Sequence, residues 1–277
     1  MASIDNSSIR ISVAMGIYNC APTLAEALDS LLAQTYQGFK VIMCDDGSTD
    51  NTVEVAQHYV DKYPGKFILI RNERNMKLAY TLNHCIEYCD TEYVARMDGD
   101  DISFPDRFEK EINFLDAHPE YALVSCPMTM FDEDGEYYRP QITAGNAPTN
   151  ETFRRKVPYS HAPVMFRKST LDKVGNYTDT PRVVRREDYY LWYKIHKAGM
   201  RGFNLGEPLY AMRNDKNAFA RRKFADRFKA IPVMWEIYHG LGIKGVYKAC
   251  AYSIAKAFVP NSVRIFMRKH GYCKSLS

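Results

Sequence analysis

Residues 39–60, FKVIMCDDGSTDNTVEVAQHYV, decide the fold. Phe39 to Cys44 is an almost unbroken apolar run, as expected of a strand covered on both faces. Asp45 to Asp50 is a polar turn, after which Val53, Ala56 and Val60 return at helical spacing. The same unit repeats on either side. Upstream, Ile11 to Met15 reads as a strand, and Leu24, Ala27, Leu28, Leu31 and Leu32 fall on one helical face after Pro22-Thr23. Downstream, Phe67 to Ile70 leads into a helix through Leu78, Leu82 and Ile86, and Glu92 to Met97 supplies a fourth strand. Alternating units of this kind predict an α/β fold with a doubly wound, mostly parallel, Rossmann-like sheet. Ligands of such sheets bind beyond the carboxyl ends of the strands, here near Met15, Asp45, Arg71 and Asp98.

The rhythm changes after residue 101. Pro105 opens a helix through Phe108, Ile112 and Leu115; Ala122 to Cys126 reads as a strand; Asp132-Glu-Asp-Gly135 reads as a hairpin turn. Residues 140–163, rich in Pro, Asn and Thr, read as loop, Glu187 to Ala198 as helix, and Ala218 onwards as basic helix. The chain thus divides into a first half (1–101), a second half (102–215) and a helical extension (216–277).

With 46% apolar and 25% charged residues in 277, disorder, collagen-like repeats and disulfide scaffolds are excluded. Seven cysteines without a C-x-x-C pair read as reduced thiols of the cytosol. Met1 to Arg10 carries no apolar stretch, so no secretory signal is expected, and no apolar run is long enough to span a membrane. The net charge of +4 is unevenly placed: residues 1–200 carry 22 Lys+Arg against 29 Asp+Glu, residues 201–277 carry 15 against 4.

Two acidic clusters follow strands. Asp45-Asp46-Gly-Ser-Thr-Asp50 follows the second, and Asp98-Gly-Asp100-Asp101 follows the fourth. In extended chain, residues i and i+2 share a face, so Asp98 and Asp100 can point at one hard cation while Gly99 lets backbone approach closely. Oxygen ligands of this kind suit Mg²⁺ or Mn²⁺ with a phosphate completing the shell. The same residue types also favour solvated turns and helix caps.

Several segments resemble the inverting family 2 glycosyltransferases of bacterial polysaccharide, O-antigen and capsule assembly, whose fold is called GT-A. They are Ser12-Val-Ala-Met-Gly-Ile-Tyr-Asn19, Ser30-Leu-Leu-Ala-Gln-Thr-Tyr36, Val41 to Asp50, Ala95 to Arg107 and Arg186-Glu-Asp-Tyr-Tyr-Leu-Trp192. The resemblance implies a UDP-sugar donor, with Tyr18, Asp45 and Asp46 at the uridine. It makes Asp98 and Asp100 the Asp-x-Asp pair, Asp100 the direct ligand of Mn²⁺ or Mg²⁺ and Asp98 nearer the ribose or donor sugar. Asp101 is expected either to cap the next helix or to support its neighbours. Asp188 matches the catalytic base, with Glu187 beside it, and His161 matches a position that contacts the acceptor or the donor sugar, a structural histidine being the alternative. Arg213 matches a late Arg at the diphosphate, although Asn214-Asp215 depart from the usual pattern. In Asn75-Met-Lys77-Leu the usual glycine is Lys77, which is expected to add positive charge near the diphosphate. The acceptor implied by that resemblance is a glycan carried on a polyprenyl diphosphate. Rival readings are a sugar-1-phosphate nucleotidylyltransferase, which would want a basic glycine-rich loop after the first strand, and a nucleotide-sugar-binding module without turnover.

Residues 216–277 interleave Arg221, Arg222, Lys223, Arg227 and Lys229 with Phe219, Phe224, Phe228 and Trp235, and Val246 to Val259 is apolar with Lys248 and Lys256. Basic amphipathic helices with aromatic residues suit an anionic membrane surface. Packing on the catalytic body is the alternative; no nucleic-acid module is expected. The protein is therefore expected in the cytoplasm, peripheral on the inner face of the membrane.

Overall fold

A computed structural model of the chain describes residues 9–132, 137–138, 145–154, 156–213, 230–257 and 259. Strand β1 (Ile11–Ile17), helix α1 (Ala21–Leu32), β2 (Phe39–Asp45), α2 (Thr52–Lys62), β3 (Phe67–Arg71), α3 (Leu78–Glu87) and β4 (Tyr93–Arg96) alternate as the apolar pattern predicts. There follow β5 (Ile102–Ser103), α4 (Arg107–Ala117), β6 (Leu123–Ser125), β7 (Met128–Phe131), β8 (Tyr137–Tyr138), β9 (Met165–Arg167), α5 (Lys168–Val174), α6 (Glu187–Lys197), β10 (Gly202–Asn204) and β11 (Tyr210–Arg213). Helices α7 (Ala230–Gly240) and α8 (Val246–Ala257) close the described chain.

The main sheet has seven strands in the order β10-β6-β9-β4-β1-β2-β3, parallel except at β9, which runs antiparallel to β4 and β6. Side chains alternate between its two faces. Val13, Met15, Val41, Met43, Tyr93 and Ala95 pack with Leu24 and Leu28 of α1, Tyr59 of α2 and Phe108 and Ile112 of α4. Ala14, Ile42, Val94 and Phe166 pack with Leu82 and Ile86 of α3 and Leu191 and Trp192 of α6. Two apolar faces covered by helices explain why the first strands read as continuous apolar runs. A four-stranded sheet, β5-β11-β7-β8, joins the turn after β4 to the distant segment at 210–213.

Some expectations shift. Phe131 pairs antiparallel with Tyr137 and Met130 with Tyr138, the register of a hairpin whose tip, 133–136, lies outside the described residues. Among the described residues of 140–163 a 3-10 turn forms at Asn150–Arg154, and Asn146 bridges to Asn204. The basic stretches 214–229 and 260–277 also lie outside the described residues. The C-terminal helices do not stand apart from the body as a separate tail. Val233, Ile237 and Tyr238 of α7 and Val246 and Cys250 of α8 are buried in the same cluster as Trp192. Gly240 lies so close to α6 that a Cβ there would fall 2.2 Å from the Tyr193 hydroxyl. Among the described residues no helix is long and apolar enough to cross a membrane.

Candidate active site

The parallel register aligns Ile17, Asp45 and Arg71 across β1, β2 and β3, so the loops after these strands meet at one edge. Two of them are stitched together. Asn19, at φ 47°, accepts the Thr49 N–H (2.8 Å) and donates its own N–H to the Ser48 hydroxyl (3.0 Å), while Asp50 accepts from Ala21 and Thr52. Tyr18 projects from this frame, half exposed. Asp45 is fully buried, accepts the Ser48 N–H and lies 3.6 Å from the Arg71 guanidinium.

Asp46 differs from its neighbour. Its carboxylate accepts the Asn72 amide (2.8 Å), the Met76 N–H (2.7 Å) and the Lys77 N–H (3.0 Å), so it fastens the turn that starts α3. Asn72 in turn contacts Thr81 and His84. Lys77 takes φ 77°, ψ 164°, a conformation that glycine adopts freely and other residues only with strain of about 1–3 kcal/mol. That backbone conformation is one for which glycine is the unstrained residue. Lysine holds it because Asp46 grips its N–H.

The second acidic cluster sits after β4. Carboxylate oxygens of Asp98, Asp100 and Asp101 lie within 4.8 Å of one another. Gly99 permits this turn, since a Cβ there would come within 3.0 Å of both Cys20 Sγ and Ile17 Cγ2. The three carboxylates have different partners. Asp101 accepts the Tyr210 hydroxyl (2.9 Å) and the Arg213 N–H (2.8 Å), so both its oxygens serve the frame. Asp98 forms an ion pair with Arg96, and its own N–H donates to the Tyr210 oxygen (3.2 Å). Burial, and after it the Asp98 charge, push Asp100 and Asp101 well above the usual carboxylate range. A hard divalent cation suits this all-oxygen set, and Asp98 and Asp100 are the pair with oxygens to offer it.

Arg213 lies across the cluster. Its Nε donates to the Asp100 carbonyl (3.0 Å), another nitrogen pairs with Glu26, and the guanidinium stacks 4.3 Å from the Phe131 ring. It therefore holds the acidic turn in place.

Asp188 occupies the first turn of α6 and accepts the Tyr189 N–H (2.7 Å). Burial raises its pKa, while the Tyr189 N–H and the charges of Arg96 and Arg186 hold it back. Glu187 is turned into its own loop, accepting the Arg185 N–H (2.8 Å). His161 meets the Tyr177 hydroxyl at 2.8 Å, and burial, then the Arg96 charge, keep its ring neutral, well below the usual histidine range.

The structure thus brings together Asp98, Asp100, Asp188 and His161 around one residue that the sequence reading passed over. Arg96 is nine-tenths buried, pairs with Asp98 and acts electrostatically on Asp100, His161, Tyr177 and Asp188; its Nε has no hydrogen-bond partner. A cation inside an otherwise apolar strand, Tyr93-Val-Ala-Arg96-Met, was the available signal, because arginine is seldom buried without a partner. Tyr210 and Asn72 carried no local signal.

The family model described as "Glycosyl transferase family 2" matches residues 12–190. EpsE of Bacillus subtilis (strain 168) is 37% identical over 277 residues, covering 97% of this chain and 99% of that protein. The UDP-Glc:alpha-D-GlcNAc-diphosphoundecaprenol beta-1,3-glucosyltransferase WfaP of Escherichia coli is 24% identical over 244 residues, covering 86% and 89% of the two chains. Among solved structures, S. aureus TarS 1-349 in complex with UDP-GlcNAc superposes with a TM-score of 0.70 at 18% identity, covering 89% of this chain and 72% of that one. At that identity the likeness shows the fold alone, and the fold is GT-A.

Proposed function

The chain belongs to glycosyl transferase family 2, and from this membership and the site's geometry we propose that it transfers a sugar from a UDP-sugar to a hydroxyl of a glycan acceptor, with inversion. We take the acceptor to be carried on a polyprenyl diphosphate and the product to be a bacterial surface polysaccharide. The protein would then work at the inner face of the cytoplasmic membrane. The observation that carries the reading is that one buried arginine, Arg96, pairs with Asp98 and acts electrostatically on both Asp100 and Asp188. WfaP, named for a UDP-Glc donor and a diphosphoundecaprenol acceptor, supports the choice of substrates.

In this reading Tyr18 stacks on the uracil and Asp45 accepts its N–H, while Asp46 acts through the turn it holds. Asp98 faces the ribose and donor sugar. Lys77 and Arg213 flank the diphosphate; His161 and Glu187 border the acceptor. The acceptor hydroxyl gives its proton to the Asp188 carboxylate as its oxygen bonds to the anomeric carbon. The bond from that carbon to UDP breaks, and the electron pair leaves with the diphosphate. Mn²⁺ or Mg²⁺ held by Asp98 and Asp100 would supply positive charge against the departing group. One displacement with one base inverts the configuration.

UDP-Glc, UDP-Gal, UDP-GlcNAc and UDP-GalNAc should be screened with lipid-linked acceptor, with Mn²⁺ and with chelator. The expected outcome is metal-dependent UDP release from one donor and a product of inverted configuration. Retained configuration, or release unaffected by chelator, refutes the mechanism.

Lys77→Gly separates backbone from charge. Relief of the strained φ should raise the melting temperature, by ~2–4 °C per kcal/mol recovered, while the KM for the donor rises several-fold. An unchanged KM would remove Lys77 from the diphosphate site.

A further inference from the structure

The α7–α8 hairpin buries one face and leaves another without a partner among the described residues. On α8, Val246 and Cys250 are buried, while Tyr247, Ala251 and Ile254 lie along one exposed flank, with Lys248 and Tyr252 exposed beyond them. Tyr247 is 74% exposed, Tyr252 57% and Ile254 41%. Trp235 of α7, 40% exposed, joins this face through ring contacts with Tyr247 at 5.2 Å and His239 at 4.6 Å. A helix face turned to water ordinarily carries charges of both signs. Here α8 contains no acidic residue at all. The one acid of residues 230–257 is Glu236, which is engaged by Arg182 and by the Tyr190 hydroxyl (2.7 Å).

We propose that the outer face of the α7–α8 hairpin docks on an anionic lipid bilayer, with Trp235, Tyr247, Tyr252 and Ile254 in the headgroup region and Lys244 and Lys248 against lipid phosphates. The proposal rests on the reading that the acceptor is lipid-borne. Exposed aromatic rings with an apolar body and polar edge suit the membrane interface, and lysine can lay its stem along the apolar face with its charge at the phosphates. A second copy of the chain is the poorer occupant. Two-fold pairing of this face would set Lys244 and Lys248 against their own images with no acid to meet them. Because Glu236 ties the hairpin to Arg182 and Tyr190, docking also fixes the orientation of α6, and with it Asp188, relative to the lipid surface.

Tryptophan emission reports this directly, since the chain has two tryptophans and Trp192 is fully buried. The intact protein is mixed with phosphatidylcholine vesicles with and without phosphatidylglycerol. Emission should shift to shorter wavelength only with phosphatidylglycerol, and the shift should vanish in Trp235→Phe. Lys244→Glu with Lys248→Glu should weaken co-sedimentation about tenfold or more, and Tyr247→Ser with Ile254→Ser comparably, at unchanged melting temperature. No shift, or undiminished binding by both double variants, overturns the proposal. So does a concentration-dependent dimer that Tyr247→Ser with Ile254→Ser abolishes. Vesicle binding requires no turnover, so its failure is distinct from a failure to release UDP.

Discussion

Asp188→Asn should lose sugar transfer by about three orders of magnitude while still binding UDP, the scale expected when a positioned general base is removed. The amide keeps the shape and can still accept the Tyr189 N–H, so the first turn of α6 stays in place. What disappears is the site that receives the acceptor's proton. The electrostatics make a second, less intuitive demand. Burial raises the pKa of Asp188 above that of an ordinary aspartate. A base works ionised, so the rate should fall with falling pH, beginning at a higher pH than an exposed aspartate would give. For stability the sign is opposite to that of a salt-bridged carboxylate. A group that binds its proton more tightly when folded weakens the fold as pH rises from its unfolded pKa through its folded pKa. At neutral pH Asp188→Asn should therefore match or exceed the parent in melting temperature. A rate within tenfold of the parent, measured as UDP release with acceptor present, would falsify the base assignment.

The sequence made the first four strands legible because each is covered on both faces and so reads as an apolar run, and the helices between them keep a clean period. Strand ends then located Asp45 and Asp98. Legibility failed where function depends on contacts between distant segments. Nothing local shows that Asp46 has its oxygens engaged by residues 72, 76 and 77, or that Asp101 answers to Tyr210 and Arg213, more than a hundred residues away. Resemblance alone puts Arg213 at the diphosphate; its contacts with Asp100, Glu26 and Phe131 show a residue that braces the acidic turn. The charge asymmetry left open whether residues 216–277 dock on a membrane or pack on the body; the buried face of α7 is part of the core, since Val233 and Ile237 pack with Trp192. A basic surface and an integral helix are compatible, because composition reports the outer face and packing is decided by the inner one.

Arg96→Met should be the most damaging change after loss of the base, although Arg96 donates and accepts no proton in the reaction. Its guanidinium is the buried counter-ion of Asp98 and the shared positive neighbour of Asp100 and Asp188. Removing one partner of a buried pair leaves the other uncompensated, which typically costs 3–5 kcal/mol, an upper bound here because the Asp98 side chain is 30% exposed. In the variant the carboxylates repel one another without a fixed cation between them. Asp98 is then free to turn toward a bound metal, and Asp188 loses a charge that favours its ionised form. The expected result is a kcat lowered by about 10²-fold, an acid limb of the rate profile moved to higher pH, and tighter rather than weaker Mn²⁺ binding. Arg96→Lys keeps the charge without the planar fork, so it should restore the acid limb and much of the metal affinity of the parent while recovering kcat only partly. A merely structural arginine predicts something different: lower melting temperature and lower kcat in both variants, with the acid limb and Mn²⁺ affinity, measured by titration in the presence of UDP, where the parent has them. That pattern would show that Arg96 supports the fold without setting the electrostatics that Asp98 and Asp188 depend on.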